Sequence, residues 1–381
     1  MKITILKDKL KEGINIIERI PAKSTTLPIL NNILIKTEKN FLNLSATNLE
    51  IGIKWWSLVK VEKEGEILVP VRIFSNFINL LPNKPVTLEV KNLTLSIECD
   101  NYKTQIKGFS PEEFPLIPKI EGGESLGIDS SVFSQGLSQV VDIASLSVTR
   151  PEISGIYFSF QKNLIKIAAT DSFRLGEKKL FINSQLNKEY SLILPQGAAK
   201  EIIGIFSEKN LIQSNSSKDL KIYFSPNQIL FEKSLQETPH PHIQIISRLI
   251  EGEFPNYQEI IPKKCETQAV FQKNEFLNQI KSAALFSGKV SEVKLKVRPK
   301  ENKIEVTSQS PDLGEYYSFL PGKVKGKEVS ASFNHRFLIE GLLNIQGQEA
   351  LFELNNEEGP SILKSAEDEN YIYVVMPVKT T

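Results

Sequence analysis

The groups in this chain that could do chemistry are few: three histidines, two cysteines and a scatter of carboxylates. Two of the histidines stand as His240-Pro241-His242, a spacing that could share a metal ion in an enzyme acting on DNA or nucleotides. A zinc-type centre takes three or four protein ligands, and no carboxylate or third ligand stands close by in sequence. The flanking Pro239 and Pro241 point instead to a stiffened, solvated loop. His335, between Asn334 and Arg336, falls where a helix starts and reads as a capping or surface residue. Glu112–Glu113 and Glu357–Glu358 sit in turn-like segments, not opposed as a general acid and base would be. Cys99 and Cys265 lie far apart without ligand neighbours, which argues against a disulfide framework and fits a reducing compartment. Neither GxxxxGK[ST] nor GxGxxG after a strand occurs. The expectation is a binding or scaffolding protein with no catalytic residues, no cofactor and no metal.

Behind these groups lies a pattern that occurs three times, and repeats of this size point to an array of similar domains. Segments 6–20, 129–144 and 274–286 each read as an amphipathic helix, with Leu10, Ile14 and Ile17 on one face of the first and Asn274 as N-cap of the third. Strands ending at Thr47, Thr170 and Thr307 follow. Segments 67–82, 192–207 and 329–345 then read as an apolar strand, a break and a second amphipathic helix. The first two repeats share a closing phrase, PEEFPLIP (111–118) and EGEFPNYQEIIP (251–262). Alternating runs such as 93–100 and 220–225 predict half-buried antiparallel strands. The expected fold is α+β: three repeated domains, each with two helices and antiparallel sheets. Their bounds are 1–123, 124–262 (with an insertion near 236–245) and 263–381.

Charge limits the partners. Lys+Arg 46 against Asp+Glu 45 leaves a net +1 over 381 residues. A protein gripping DNA by bulk charge would be more basic, because backbone affinity comes from cations displacing condensed counterions. No stretch reaches the roughly 18 apolar residues of a membrane helix, and no signal-peptide core opens the chain. A cytoplasmic protein without membrane contact is expected.

Several phrases, in order and with these separations, go further: LPILNNILI (27–35), SATNLEIGI (45–53), PEEFPLIP, AATDSFRL (168–175), LILP (192–195), EGEFPNYQEIIP and YVVMPVK (373–379). In them the sequence resembles the beta subunit of bacterial DNA polymerase III, the sliding clamp, over essentially its whole length. The resemblance implies domains of the clamp, or processivity, fold in a homodimer closed head to tail into a ring around double-stranded DNA, without sequence preference. It implies a replicative polymerase subunit, a clamp loader and other clamp-binding proteins as partners. It implies a peptide cleft between domains two and three, formed by Ile153, Thr170, Ser172, Phe173, Arg174, Leu175, Pro255, Ile260, Val374, Met376, Pro377 and Val378. Leu175 and Val374 also suit ordinary core and strand positions. At the joint, Thr104 and Ile106 would meet Leu285 and Phe286 of the partner, though the last two also suit the interior of domain three.

Cations expected to face DNA are Lys7, Lys9, Lys11, Arg19, Lys23, Arg72, Arg150, Lys200, Lys273, Lys281 and Arg336, which also suit solvated helix faces. Where relatives often carry a basic group this chain has Ser24 and Gly197, and Glu259 replaces a usual base in the closing phrase. At the C-terminus Lys379 and Thr380 replace the usual Arg and Leu. The preferred peptide is therefore expected to differ.

Overall fold

The computed structural model describes residues 1–20, 27–120, 123–147, 149–183, 186–207, 216–236 and 238–378. In the first repeat the strand Lys2–Leu6 runs directly into helix α1 (Lys7–Ile17). Leu10, Ile14 and Ile17 are buried on one side of α1, as three- and four-residue spacing dictates. Gly13 lies among them because α1 rests on Trp55, whose ring a Cβ at position 13 would meet at 2.4 Å. Three hairpin-linked strands follow, Asn32–Glu38, Phe41–Thr47 and Ile51–Leu58. After Glu66–Pro70 comes helix α2 (Val71–Leu80), then strands Pro85–Lys91, Thr94–Cys99 and Tyr102–Lys107.

The same order recurs with α3 (Ser130–Ser138) and α4 (Gln196–Phe206) in the second repeat, and α5 (Lys273–Ala284) and α6 (His335–Asn344) in the third. The first turns of α1, α5 and α6 begin straight off strands. Their leading N–H groups donate to a backbone carbonyl of another segment: Lys7 to Lys84 at 3.2 Å, Lys273 to Gln348 at 2.8 Å and His335 to Ser291 at 2.9 Å. Helix termini need such partners. Asn274 is therefore not an N-cap but a residue inside α5, and in α6 it is Asn334 that caps, accepting from the Arg336 N–H. The helix expected over 129–144 stops at Ser138 and gives way to a tight turn at Val141–Ile143. β-Branched valines at 140 and 141 favour helix weakly.

The described chain divides into two compact units that cut through the second repeat. The first comprises Met1–Ser134, Ser184–Asn187 and Gly197–Leu249. Its eight-stranded sheet is continuous because Pro241–Arg248 of repeat two pairs antiparallel with Ile51–Leu58 of repeat one, Ile243 opposite Trp55 and Ser247 opposite Ile51. The His-Pro-His segment thus begins a buried strand, correcting the solvated-loop reading. His242 is buried beside Trp55, and His240 stacks on Phe41 with ring centroids 3.8 Å apart. The second unit comprises Gln135–Asn183, Lys188–Gln196 and Ile250–Thr381. Its nine-stranded sheet is continuous through the pairing of Arg174–Phe181 with Tyr371–Val375, Leu175 opposite Val374. Each unit has a further sheet: five strands ending at Tyr102–Lys107 in the first, four ending at Gly314–Pro321 in the second. Neither end strand has an outer partner among the described residues. Among the described residues no helix is long and apolar enough to cross a membrane.

Candidate functional site

At the seam of repeats two and three, sequence-distant residues of the expected cleft meet. The chain turns between Leu164–Thr170 and Arg174–Phe181 through a tight hairpin with Ser172 at φ 78°. Asp171 holds that turn, its Oδ1 accepting from the Phe173 and Arg174 N–H groups at 3.0 and 2.9 Å. Thr170 Oγ1 donates to the Arg174 carbonyl at 2.8 Å. The last strand is tied on by the Met376 N–H, which donates to the Phe173 carbonyl at 2.9 Å, and Val378 N–H donates to the Ser332 carbonyl at 2.7 Å.

Under this frame Ile153, Leu175 and Val374 are buried in one apolar cluster with Phe254 and Tyr257. These three are floor, while Phe173 and Ile260 stand exposed and Pro255, Met376, Pro377 and Val378 are half-buried. Apolar rim residues over a rigid floor suit docking of an extended peptide. Phe254 and Tyr257 were not among the expected site residues, although the EFPNY phrase carried the aromatic signal. Tyr257 donates to the buried Glu177 carboxylate at 2.6 Å. Burial, with that carboxylate next to it, pushes the tyrosine hydroxyl far above its ordinary range.

Arg174 is committed internally. Its guanidinium pairs with Asp171 at 3.0 Å and with Glu340 on α6, donates to the Asp142 carbonyl at 3.2 Å and lies 4.6 Å from the Phe337 ring centre. It clamps the repeat-two hairpin to a repeat-three helix and leaves little donor capacity for a peptide. Arg150, also expected to face DNA, is exposed and bonds Glu152 at 3.2 Å and the Ser172 hydroxyl at 3.1 Å beside the cleft.

The remaining cations divide by environment. Lys7 is buried, its ammonium 3.8 Å from the exposed Asp8. The residue falls on the Leu10–Ile14 side of α1, the buried side of that helix. Arg19 pairs with Glu201 of α4 at 2.5 Å, and Lys273 donates to the Ile345 carbonyl at 2.9 Å. Lys9, Arg72, Lys200, Lys281 and Arg336 are exposed on α1, α2, α4, α5 and α6, with Lys11 half-buried. Lys23 lies outside the described residues, as do Ser24, Lys379 and Thr380. Among the described residues, no group of three His, Cys, Asp or Glu side chains gathers that could hold a metal ion.

Of the joint residues, Leu285 is exposed just beyond α5, and Phe286 is half-buried, stacked on Tyr316 at 6.0 Å. Thr104 is half-buried on the open edge strand, whereas Ile106 is buried within its own repeat. Leu80 at the end of α2 and Tyr317 and Phe319 on the other open edge are exposed apolar residues that sequence reading passed over. A helix face seen alone does not reveal that its last apolar residue lacks a neighbour.

Comparison with known proteins agrees along the whole chain. Residues 1–118, 127–256 and 258–379 match in turn the N-terminal, central and C-terminal domains of the DNA polymerase III beta subunit. The chain is 26% identical to the beta sliding clamp of Bacillus subtilis and 27% to that of Staphylococcus epidermidis, covering 100% of each partner. It superimposes on the crystal structure of the Bacillus subtilis DNA polymerase sliding clamp with TM-score 0.90 at 25% identity, again over 100% of both chains. A putative DNA polymerase III beta subunit from Eubacterium rectale gives the same score and identity over 100% of both chains.

Proposed function

Since the chain belongs to the DNA polymerase III beta-subunit family, we propose that it works as a sliding clamp. Two copies close into a ring around duplex DNA and hold the replicative polymerase there without catalysing a reaction. Three domains per copy, 1–123, 124–262 and 263–381, supply the ring.

One observation carries the reading. At both seams inside the chain, the last strand of one repeat pairs with the third strand after the first helix of the repeat before it. The end of the first helix in the earlier repeat also contacts the second helix of the later one: Arg19 with Glu201, and Gln139 Nε2 donating to the Asn344 carbonyl at 2.7 Å. Applied a third time, this rule pairs Tyr102–Lys107 of one copy with Gly314–Pro321 of another. It also sets Leu285 and Phe286 against α2, with Leu80 as the natural contact. Both strands end their sheets without an outer partner among the described residues, and exposed apolar residues stand beside them. Contacts that join front to back close into a ring when the rotation closes, and these two sheet edges are then covered.

Exposed cations on α1, α2, α4, α5 and α6 supply phosphate contacts, which position a duplex without reading it. With a net charge of +1, retention is topological and open DNA binds weakly. The seam of repeats two and three takes a partner's peptide on its apolar rim, and a clamp loader opens the ring. The test is to load the protein on nicked circular plasmid with a clamp loader, linearise the plasmid and follow release by gel filtration. Release on linearisation is expected; retention on linear DNA with free ends would refute the ring.

A further inference from the structure

The hairpin frame of the docking cleft occurs a second time, bond for bond, at the seam of repeats one and two. Thr47 Oγ1 donates to the Ile51 carbonyl at 2.9 Å, as Thr170 does to Arg174 at 2.8 Å. Leu49 N–H donates to Thr47 Oγ1 at 3.0 Å, as Ser172 N–H does to Thr170 Oγ1 at 3.2 Å. Asn48 Oδ1 accepts from Glu50 and Ile51 at 3.1 and 2.8 Å, the service Asp171 performs for Phe173 and Arg174. Leu49 and Ser172 share the left-handed region, at φ 74° and 78°. The incoming last strand is tied identically: Arg248 N–H donates to the Glu50 carbonyl at 3.0 Å, as Met376 N–H does to Phe173 at 2.9 Å.

Only the side chains on the frame differ. The position of Leu175 is taken by Gly52, the position of Val374 by Ile246 and that of Met376 by Arg248. Where Leu175 closes the floor of the first cleft, Gly52 leaves room, and Ile117 from the PEEFPLIP phrase leans over it. A Cβ at position 52 would meet Ile117 Cγ2 at 2.6 Å. What remains is an open depression of about 70 Å³ walled by Leu49, Ile117 and Ile246, with Arg248 beside it. That space suits one aliphatic side chain. Arg248 is exposed and makes no ion pair among the described residues, so its guanidinium can take a carboxylate.

We propose that the seam of repeats one and two is a second peptide-docking cleft, which takes an extended acidic segment by one aliphatic side chain and one carboxylate. The side chain enters between Leu49, Ile117 and Ile246, and the carboxylate pairs with the Arg248 guanidinium, whose planar fork suits that group. Two clefts on one chain let a single partner hold on at two points, and linkage raises retention without any new contact. The proposal rests on the reading of the first cleft as a peptide site.

The test titrates the whole protein with a short fluorescein-labelled peptide alternating leucine and aspartate, read by anisotropy and by calorimetric stoichiometry. The native chain is expected to bind two equivalents per chain. Arg248→Glu, on an exposed side chain that leaves the core intact, should remove one equivalent or weaken it at least about tenfold. Met376→Glu should remove the other. If R248E changes neither count nor affinity, or if M376E alone abolishes all binding, the second cleft is refuted. If R248E alone abolishes all binding, the second cleft stands and the peptide reading of the first one falls. No binding by the native chain refutes both.

Discussion

The joint between copies gives the sharpest prediction. Leu285 and Leu80 are 71% and 78% exposed in the single chain. Fully burying a leucine is worth about 1.5–3 kcal/mol, so covering the exposed part of Leu285 contributes about 1–2 kcal/mol per joint. A dimeric ring has two such joints, so removing that side chain from both costs about 2–4 kcal/mol, a ~30- to ~700-fold weaker dimer. Leu285→Glu adds desolvation of a carboxylate and belongs at the upper end. Sedimentation equilibrium should show the native protein near twice the 42.9 kDa chain mass and L285E shifted toward the single-chain mass at the same concentration. Leu80→Lys alone should do the same. The pair L80K/L285E should recover much of the dimer, since the new charges face each other across each joint. A dimer of unchanged strength in L285E, or failure of L80K to rescue it, would refute the seam rule as a guide to this interface.

Other outcomes follow from buried groups. Burial pushes the Glu12 carboxyl up to about 7, against the pull of Lys9. Burial, reinforced by Lys233 and Lys9, brings His242 down to about 4, and its Nε2 lies 3.6 Å from Glu12. In H242N the Glu12 shift is no longer opposed by its neighbour: Glu12 binds its proton more tightly in the folded state than in the unfolded, so the contribution of this pair should fall by about 3 kcal/mol as pH rises from 4.5 to about 7. In E12Q the His242 shift is the one left of the pair: the unfolded state binds that proton more tightly, and the contribution of the pair should rise by a similar ~3 kcal/mol between about 4 and 6.5. In the native chain the two slopes largely cancel. Urea melts across this range check all three, and equal slopes in the two variants would contradict the account. Tyr257→Phe leaves the buried Glu177 with Lys179 at 3.5 Å as its remaining side-chain partner and should cost about 1–3 kcal/mol in denaturant melts. Lys7→Met should leave DNA retention unchanged because Lys7 is buried. R72E/R336E should weaken open-DNA binding and reduce its salt slope by about one per charge, measured by anisotropy at several ionic strengths.

What could be read from sequence was local. The spacing of Leu10, Ile14 and Ile17 named the buried face of α1, since a helix repeats every 3.6 residues whatever it packs against. The recurrence of strands, turns and second helices announced three repeats before any contact was known. The PEEFPLIP and EGEFPNYQEIIP phrases and the terminal YVVMPVK pointed to the cleft through resemblance. Which side chains within the cleft would be floor, rim or internally paired was beyond that reach.

That Arg174 spends its donors on Asp171, Glu340 and the Asp142 carbonyl depends on a strand of repeat two meeting a helix of repeat three. That His242 is buried, and not in a loop, depends on its strand pairing with Ile51–Leu58, nearly two hundred positions earlier. Lys7 looks like any helix cation until the folded chain buries it. Sequence alone thus determined the elements, because backbone propensity and side-chain periodicity act over a few residues. The tertiary structure decided which charges are spent and which edges stay open, because those depend on long-range strand pairing that no local pattern encodes.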